Sequence, residues 1–157
     1  MGSEDTSSTI ALAAQRRADV VWENDLLNGS GRVKFGSGAL PESSVTWAAR
    51  TEQPGGKTSP EELLAAAHAS CYAMALSATL ARNRTPPKRL EVSAVATFDK
   101  VGDAWKVTKM DLNVTGTVQG LDSAKFAELA KAGEAGCPIS NALRNNVEIR
   151  LNATLSS

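Results

Sequence analysis

Between Leu63 and Ala81 the chain runs nineteen residues without a formal charge. The segment that contains this run has the clearest helix start in the sequence. Ser59 suits the N-cap, Pro60 the first helical position, and Glu62 completes a capping box. Pro86-Pro87 forbids continuation much beyond Asn83. The predicted helix, Pro60 to about Asn83, would extend roughly 36 Å, about the width of a compact domain of this size. It is apolar on nearly every side, so it needs cover all round. One small domain hardly supplies that, whereas two copies enclosing each other's helices do.

Downstream the period changes from helical to two. Leu90, Val92, Ala94, Ala96 and Phe98 alternate with Glu91, Ser93, Val95, Thr97 and Asp99. Met110, Leu112, Val114 and Val118 alternate with Asp111, Asn113, Thr115 and Thr117, and the pattern returns at Val147, Ile149, Leu151, Ala153 and Leu155. Each stretch reads as a strand with one apolar face, and together they predict an antiparallel sheet covered by helices on one side. A helix from about Asp122 places Phe126, Leu129 and Ala130 on one face, and a shorter one runs from Pro138 to about Arg144. Upstream, Asp19–Trp22, Arg32–Phe35 and Ser44–Ala49 read as strands separated by Gly-rich turns. The order β-β-β, α, β-β, α-α, β is α+β. Residues 1–18, rich in Ser, Thr and Ala, read as a flexible tail, leaving 19–157 as a single domain.

Composition narrows the function. Seventeen basic and seventeen acidic side chains cancel in 157 residues, which gives no electrostatic footprint for nucleic acid or for an anionic membrane. The uncharged run is long enough to span a bilayer. Its eight alanines, four leucines, His68, Ser70, Ser77 and Thr79 instead fit burial in a soluble assembly. No secretory h-region is visible, so the expected location is cytoplasmic, where thiols stay reduced. With one histidine and no C-x-x-C, no metal site is expected.

The candidate chemistry lies in two cysteines, 66 residues apart. A lone free cysteine is ordinarily a small buried apolar residue. Cys137, in Gly136-Cys137-Pro138, sits at a predicted helix N-terminus, where the dipole favours thiolate. Cys71 sits mid-helix in dry surroundings, which raise its pKa, so a cation must offset the burial if it is to react. His68, three residues earlier on nearly the same face, is read as a packed, hydrogen-bonded interface histidine. Leu64, Met74 and Leu76 are read as core.

The run Thr58-Ser59-Pro60-Glu61-Glu62-Leu63-Leu64-Ala65-Ala66-Ala67-His68-Ala69-Ser70-Cys71-Tyr72-Ala73-Met74-Ala75-Leu76, with Ala135-Gly136-Cys137-Pro138-Ile139-Ser140 downstream, closely resembles the OsmC/Ohr family of osmotically inducible and organic hydroperoxide resistance proteins. The Ala-His-Ala-x-Cys pattern is similar to the OsmC branch, and the resemblance extends over roughly Val20 to Leu155. It implies antiparallel sheets around a long buried central helix, in an intertwined homodimer with two sites at the interface. It also implies a thiol-dependent peroxidase that reduces organic hydroperoxides, with no cofactor and with an external dithiol reductant such as a lipoyl dithiol. On the matching positions Cys71 would be the peroxidatic cysteine and Cys137 the resolving one. Arg50 would contact the reactive sulfur, and Glu61 would hold Arg50. A different class stays open: a non-catalytic redox sensor or ligand-binding dimer using the same disulfide as a switch.

The chemistry asks for these residue types. A thiol of ordinary pKa is a few per cent ionised at neutral pH, so full ionisation gains at most about thirtyfold. Enzymes typically gain at least about 10⁶. The remainder must come from orienting the peroxide and stabilising the leaving oxygen, and a guanidinium can do both. Ten residues of straight helix separate Glu61 from Cys71 by roughly 15 Å, so Glu61 cannot touch that sulfur unless the helix breaks, but it can pair with Arg50 as the guanidinium reaches toward Cys71.

Overall fold

The computed structural model describes residues 13–156. Most of the expected tail lies outside the described residues. Residues 13–17 have no regular structure, and the first strand begins at Ala18.

Two three-stranded sheets and four helices follow. The first sheet is antiparallel, in the order β1 (Ala18–Glu23), β2 (Ser30–Phe35), β3 (Ser43–Val45). Gly31 pairs with both Trp22 and Val45. A Cβ there would lie 2.8 Å from the Trp22 ring and 2.9 Å from Val45 Cγ2, so only glycine lets these side chains close over the strand. The expected third strand, Ser44–Ala49, is mostly something else. β3 stops at Val45, and helix α1 (Trp47–Thr51) begins. The reason is local: Thr46 caps it, its hydroxyl accepting from Ala49 N–H at 3.1 Å.

Helix α2 (Pro60–Arg82) forms as predicted, with Ser59 Oγ accepting from Glu62 N–H at 3.1 Å and Pro60 in the first turn. Asn83 ends it, and Arg84 turns the chain with φ of 63° before the two prolines. Its buried residues, Glu61, His68, Tyr72, Leu76 and Leu80, form a stripe of nearly i+4 spacing. From His68 onward that stripe faces the second sheet and the later helices. The core joins Tyr72, Leu76 and Leu80 to Met110, Leu112, Val114, Phe126 and Leu129. The opposite stripe, Ala66, Ser70, Met74 and Ala78, is exposed. The single chain therefore covers one side of the central helix and leaves the other open.

The second sheet has the order β4 (Arg89–Val101), β5 (Ala104–Thr117), β6 (Glu148–Leu155). β4 and β5 form an antiparallel hairpin through Gly102-Asp103, with a bulge at Thr97/Phe98. The sheet is not wholly antiparallel as expected, because β6 runs parallel to β5, pairing Met110 with Ile149 and Leu112 with Leu151. The cause is the connection. Helices α3 (Ser123–Ala135) and α4 (Pro138–Leu143) carry the chain back along the sheet before β6 starts, and a crossover of that length returns a strand in the same direction.

Candidate active site

Two elements bring the cysteines together. α2 presents Cys71, half-buried, on the flank between its buried and open stripes. α4 begins beside it, with Cys137 fully buried at its N-cap and Pro138 in its first turn. Both cysteines are free, and Cys137 lies close enough to bear on the Cys71 thiol. Burial pushes the Cys71 thiol up from its ordinary pKa. The Ile139 backbone N–H, in the first turn of α4, pulls it back by donating to the sulfur. Cys137 pushes it up again, since two thiolates so close repel. The helix-start assistance expected for Cys137 is thus directed at Cys71. The Cys137 side chain itself makes no capping hydrogen bond.

His68 is buried completely within one chain, on the inner stripe of α2, and so is not the interface residue expected. Its Nε2 lies 2.7 Å from Ser140 Oγ on α4, and Ser140 is also fully buried. Burial lowers the His68 pKa, and the Glu134 carboxylate opposes that in part. Met74 likewise departs from expectation. It is exposed beside Cys71 and lines a cavity of about 560 Å³ with Ser70, Cys71, Pro138 and Ile139. Leu64 and Leu76 are in the core as expected.

Arg50 and Glu61 form the second half of the arrangement. Arg50 lies in the last turn of α1 and Glu61 in the first turn of α2. The guanidinium donates from Nε at 3.0 and 3.1 Å to the two carboxylate oxygens and from Nη2 at 2.7 Å, a bidentate pair. Its carbon sits 4.1 Å from the centre of the Phe98 ring, with Trp47 on α1 at 5.9 Å. Trp105 stacks on Phe98 at 4.9 Å and meets Trp47 edge-on at 5.5 Å. The carboxylate and the aromatic face hold the guanidinium in place, while Nη1 makes no hydrogen bond among the described residues.

The Cys71–Cys137 and Arg50–Glu61 pairs do not meet within one chain. Arg50 lines a different cavity, of about 620 Å³, walled by Trp22, Leu26, Val33, Trp47 and Leu63. Leu63 and Ala67, one helical turn apart, line the two cavities, which therefore follow one another along the open side of α2. Reading the sequence missed the Ile139 N–H, the Ser140 hydroxyl and the aromatic bed of Arg50. Ser140, one turn after Cys137, and Trp47, one turn before Arg50, were the available signals.

A family model described as OsmC-like protein matches residues 53–152. The chain is 34% identical to "Peroxiredoxin OsmC" of Escherichia coli (strain K12) over 93% of this chain and all of that protein. It is 30% identical to "Organic hydroperoxide resistance protein-like 2" of Staphylococcus epidermidis over 79% of this chain and 87% of that one. Its fold superposes on an organic hydroperoxide resistance protein of Elizabethkingia anophelis with a TM-score of 0.70 at 21% identity, covering 94% of this chain and all of the other. By sequence and by fold, this chain belongs to the family of OsmC-like proteins.

Proposed function

We propose that the protein is a thiol-dependent peroxidase that reduces organic hydroperoxides to alcohols. The observation that carries this reading is that two free cysteines are brought together by α2 and the start of α4, the more accessible one, Cys71, facing a cavity it shares with Pro138 and Ile139. The names borne by its relatives, peroxiredoxin and organic hydroperoxide resistance protein, agree with it. Cys71 thiolate attacks the outer peroxide oxygen, the O–O bond breaks, and the alkoxide leaves as alcohol after taking a proton. Cys71 is left as a sulfenic acid. The Cys137 thiol displaces its hydroxyl as water to give the disulfide, and an external dithiol, such as a lipoyl dithiol, returns both thiols by exchange. The reducing cytoplasm is the compartment in which this cycle runs.

The arginine comes from a second copy. Positions 61 and 71 lie symmetrically about Ala66 on α2. A two-fold axis at that level packs the open stripes antiparallel and carries the Arg50–Glu61 pair of one subunit to Cys71 of its partner. Ala65, Ala66 and Ala67 at the crossing let the backbones approach closely. The same packing covers Met74, 68% exposed in the single chain. In the composite site Arg50 stabilises the thiolate and the departing alkoxide, Glu61 positions Arg50, and the apolar cavity walls receive the organic group.

The test is turnover. Reduced protein with cumene hydroperoxide and excess dihydrolipoamide should consume peroxide continuously, and Cys71→Ser should consume none. Cys137→Ser should remove about one equivalent per subunit and then stall unless a small thiol resolves it. One oxidation per subunit in the wild type, without sustained turnover in excess dithiol, would instead identify a redox switch.

A further inference from the structure

α4 has six residues, far too few to be stable alone, so its place is dictated by what it touches. Two polar ties hold it. At its far end Arg144 Nη2 reaches Glu134 Oε1 on α3 at 3.0 Å, a half-exposed contact. In its middle, Ser140 meets His68 at 2.7 Å with both side chains fully buried. Ser140 lies one turn after Cys137, which bears on the Cys71 thiol, and one residue after Ile139, which lines one cavity with Cys71. His68 lies one turn before Cys71. The hydrogen bond therefore spans α2 and α4 directly behind the thiol pair.

Such a pair is a poor way to gain stability. Burying an imidazole and a hydroxyl costs desolvation that one hydrogen bond barely returns, and an apolar pair would pack as well. The site also leaves His68 Nδ1 buried with no partner among the described residues. What a buried polar pair adds is direction: it permits one rotation of the short helix about its axis where greasy contacts permit several.

We propose that the His68–Ser140 hydrogen bond fixes the rotation of α4 so that Cys137 can capture oxidised Cys71, making both positioning residues for the resolving step. This rests on the peroxidase reading above. The hydroperoxide step uses Cys71 and the arginine and does not need Cys137. Capture needs the Cys137 sulfur in line with the S–O bond of the Cys71 sulfenic acid, where a misplacement of an ångström is costly. Slow capture has a chemical signature. A second hydroperoxide molecule oxidises the waiting sulfenic acid to sulfinic acid, transferring one oxygen and leaving as alcohol.

The experiment separates the two half-reactions. Reduced Ser140→Ala is mixed with a small excess of cumene hydroperoxide, the peroxide burst is followed, and quenched samples are weighed by intact mass. Expected is a burst slowed only severalfold, the share owed to the Ile139 N–H on the same helix, disulfide formation slower by about a further tenfold or more, and a mass gain of two oxygens where the wild type loses two hydrogens. Ser140→Thr, which keeps the hydroxyl, restores capture. Wild-type capture in Ser140→Ala, or equal slowing of both steps, overturns the proposal. If Ser140→Ala does not fold, His68→Leu against His68→Gln makes the same comparison, since the glutamine amide can still reach Ser140. A wild-type protein with no peroxide burst would bring down the peroxidase reading itself. A normal burst with normal capture in the variants would remove only the positioning role.

Discussion

In a single subunit, burial holds the Cys71 thiol above its ordinary pKa, and the Ile139 N–H offsets that only in part. A guanidinium brought to it acts in the opposite direction, because it favours the anion. Arg50→Ala should therefore move the ultraviolet thiolate titration of Cys71 to higher pH. It should also lower the rate with hydroperoxide at neutral pH by about a hundredfold or more, with Arg50→Lys between the two. A second titration concerns stability. His68 is the only histidine, and burial lowers its pKa below the ordinary 6.5. As pH falls through that ordinary value the unfolded chain takes up a proton that the folded one refuses, so stability is lost toward acid. Thermal melts from about pH 7 down to 5 should show this, and His68→Gln should flatten the slope. Cys71, Cys137, Arg50 and Glu61 could be singled out as candidates because their neighbours in the chain are distinctive. The Ile139 N–H was not, since any backbone can donate and only the docking of α4 aims this one. Nor was the His68–Ser140 bond, which joins positions 72 residues apart.

Among the elements, α2 was the most legible, because its cap, proline and terminator are all local. The strands were legible as strands, since alternation reports a half-buried face. Alternation is silent about direction, and this hid the parallel pairing of β6. The clue was the length of the connection through α3 and α4. At Ser44–Ala49 a short strand and a short helix were read as one strand, because a threonine cap looks like any other polar residue in an alternating run. Packing between elements is tight where β5 meets α3. A Cβ on Gly116 would come within 2.5 Å of Phe126 Cζ, and Phe126 is fully buried and has nowhere to go. Gly116→Ala should cost about 1–3 kcal/mol, read as a lower Tm or denaturant midpoint, with no change in the rate per folded molecule.

For the whole molecule, the proposed composite site makes a demand that no single-chain explanation shares. Arg50→Ala and Cys71→Ser subunits are each expected to fail alone. Dissociated and re-associated together, they should recover about a quarter of wild-type turnover, since half of the random dimers carry one intact site of two. No recovery despite mixed dimers, verified by native mass spectrometry, would place the arginine and the sulfur on the same subunit. The order of parts along the chain has a consequence for how the protein is made. Cys71 leaves the ribosome 66 residues ahead of Cys137, an interval of about 3–13 s at ordinary translation speeds. In that interval it has neither the Ile139 amide nor a neighbouring guanidinium to ionise it. On the proposed mechanism the nascent thiol therefore has no more than ordinary thiol reactivity while it is still defenceless against oxidants, and gains the rest only with the safeguards in place.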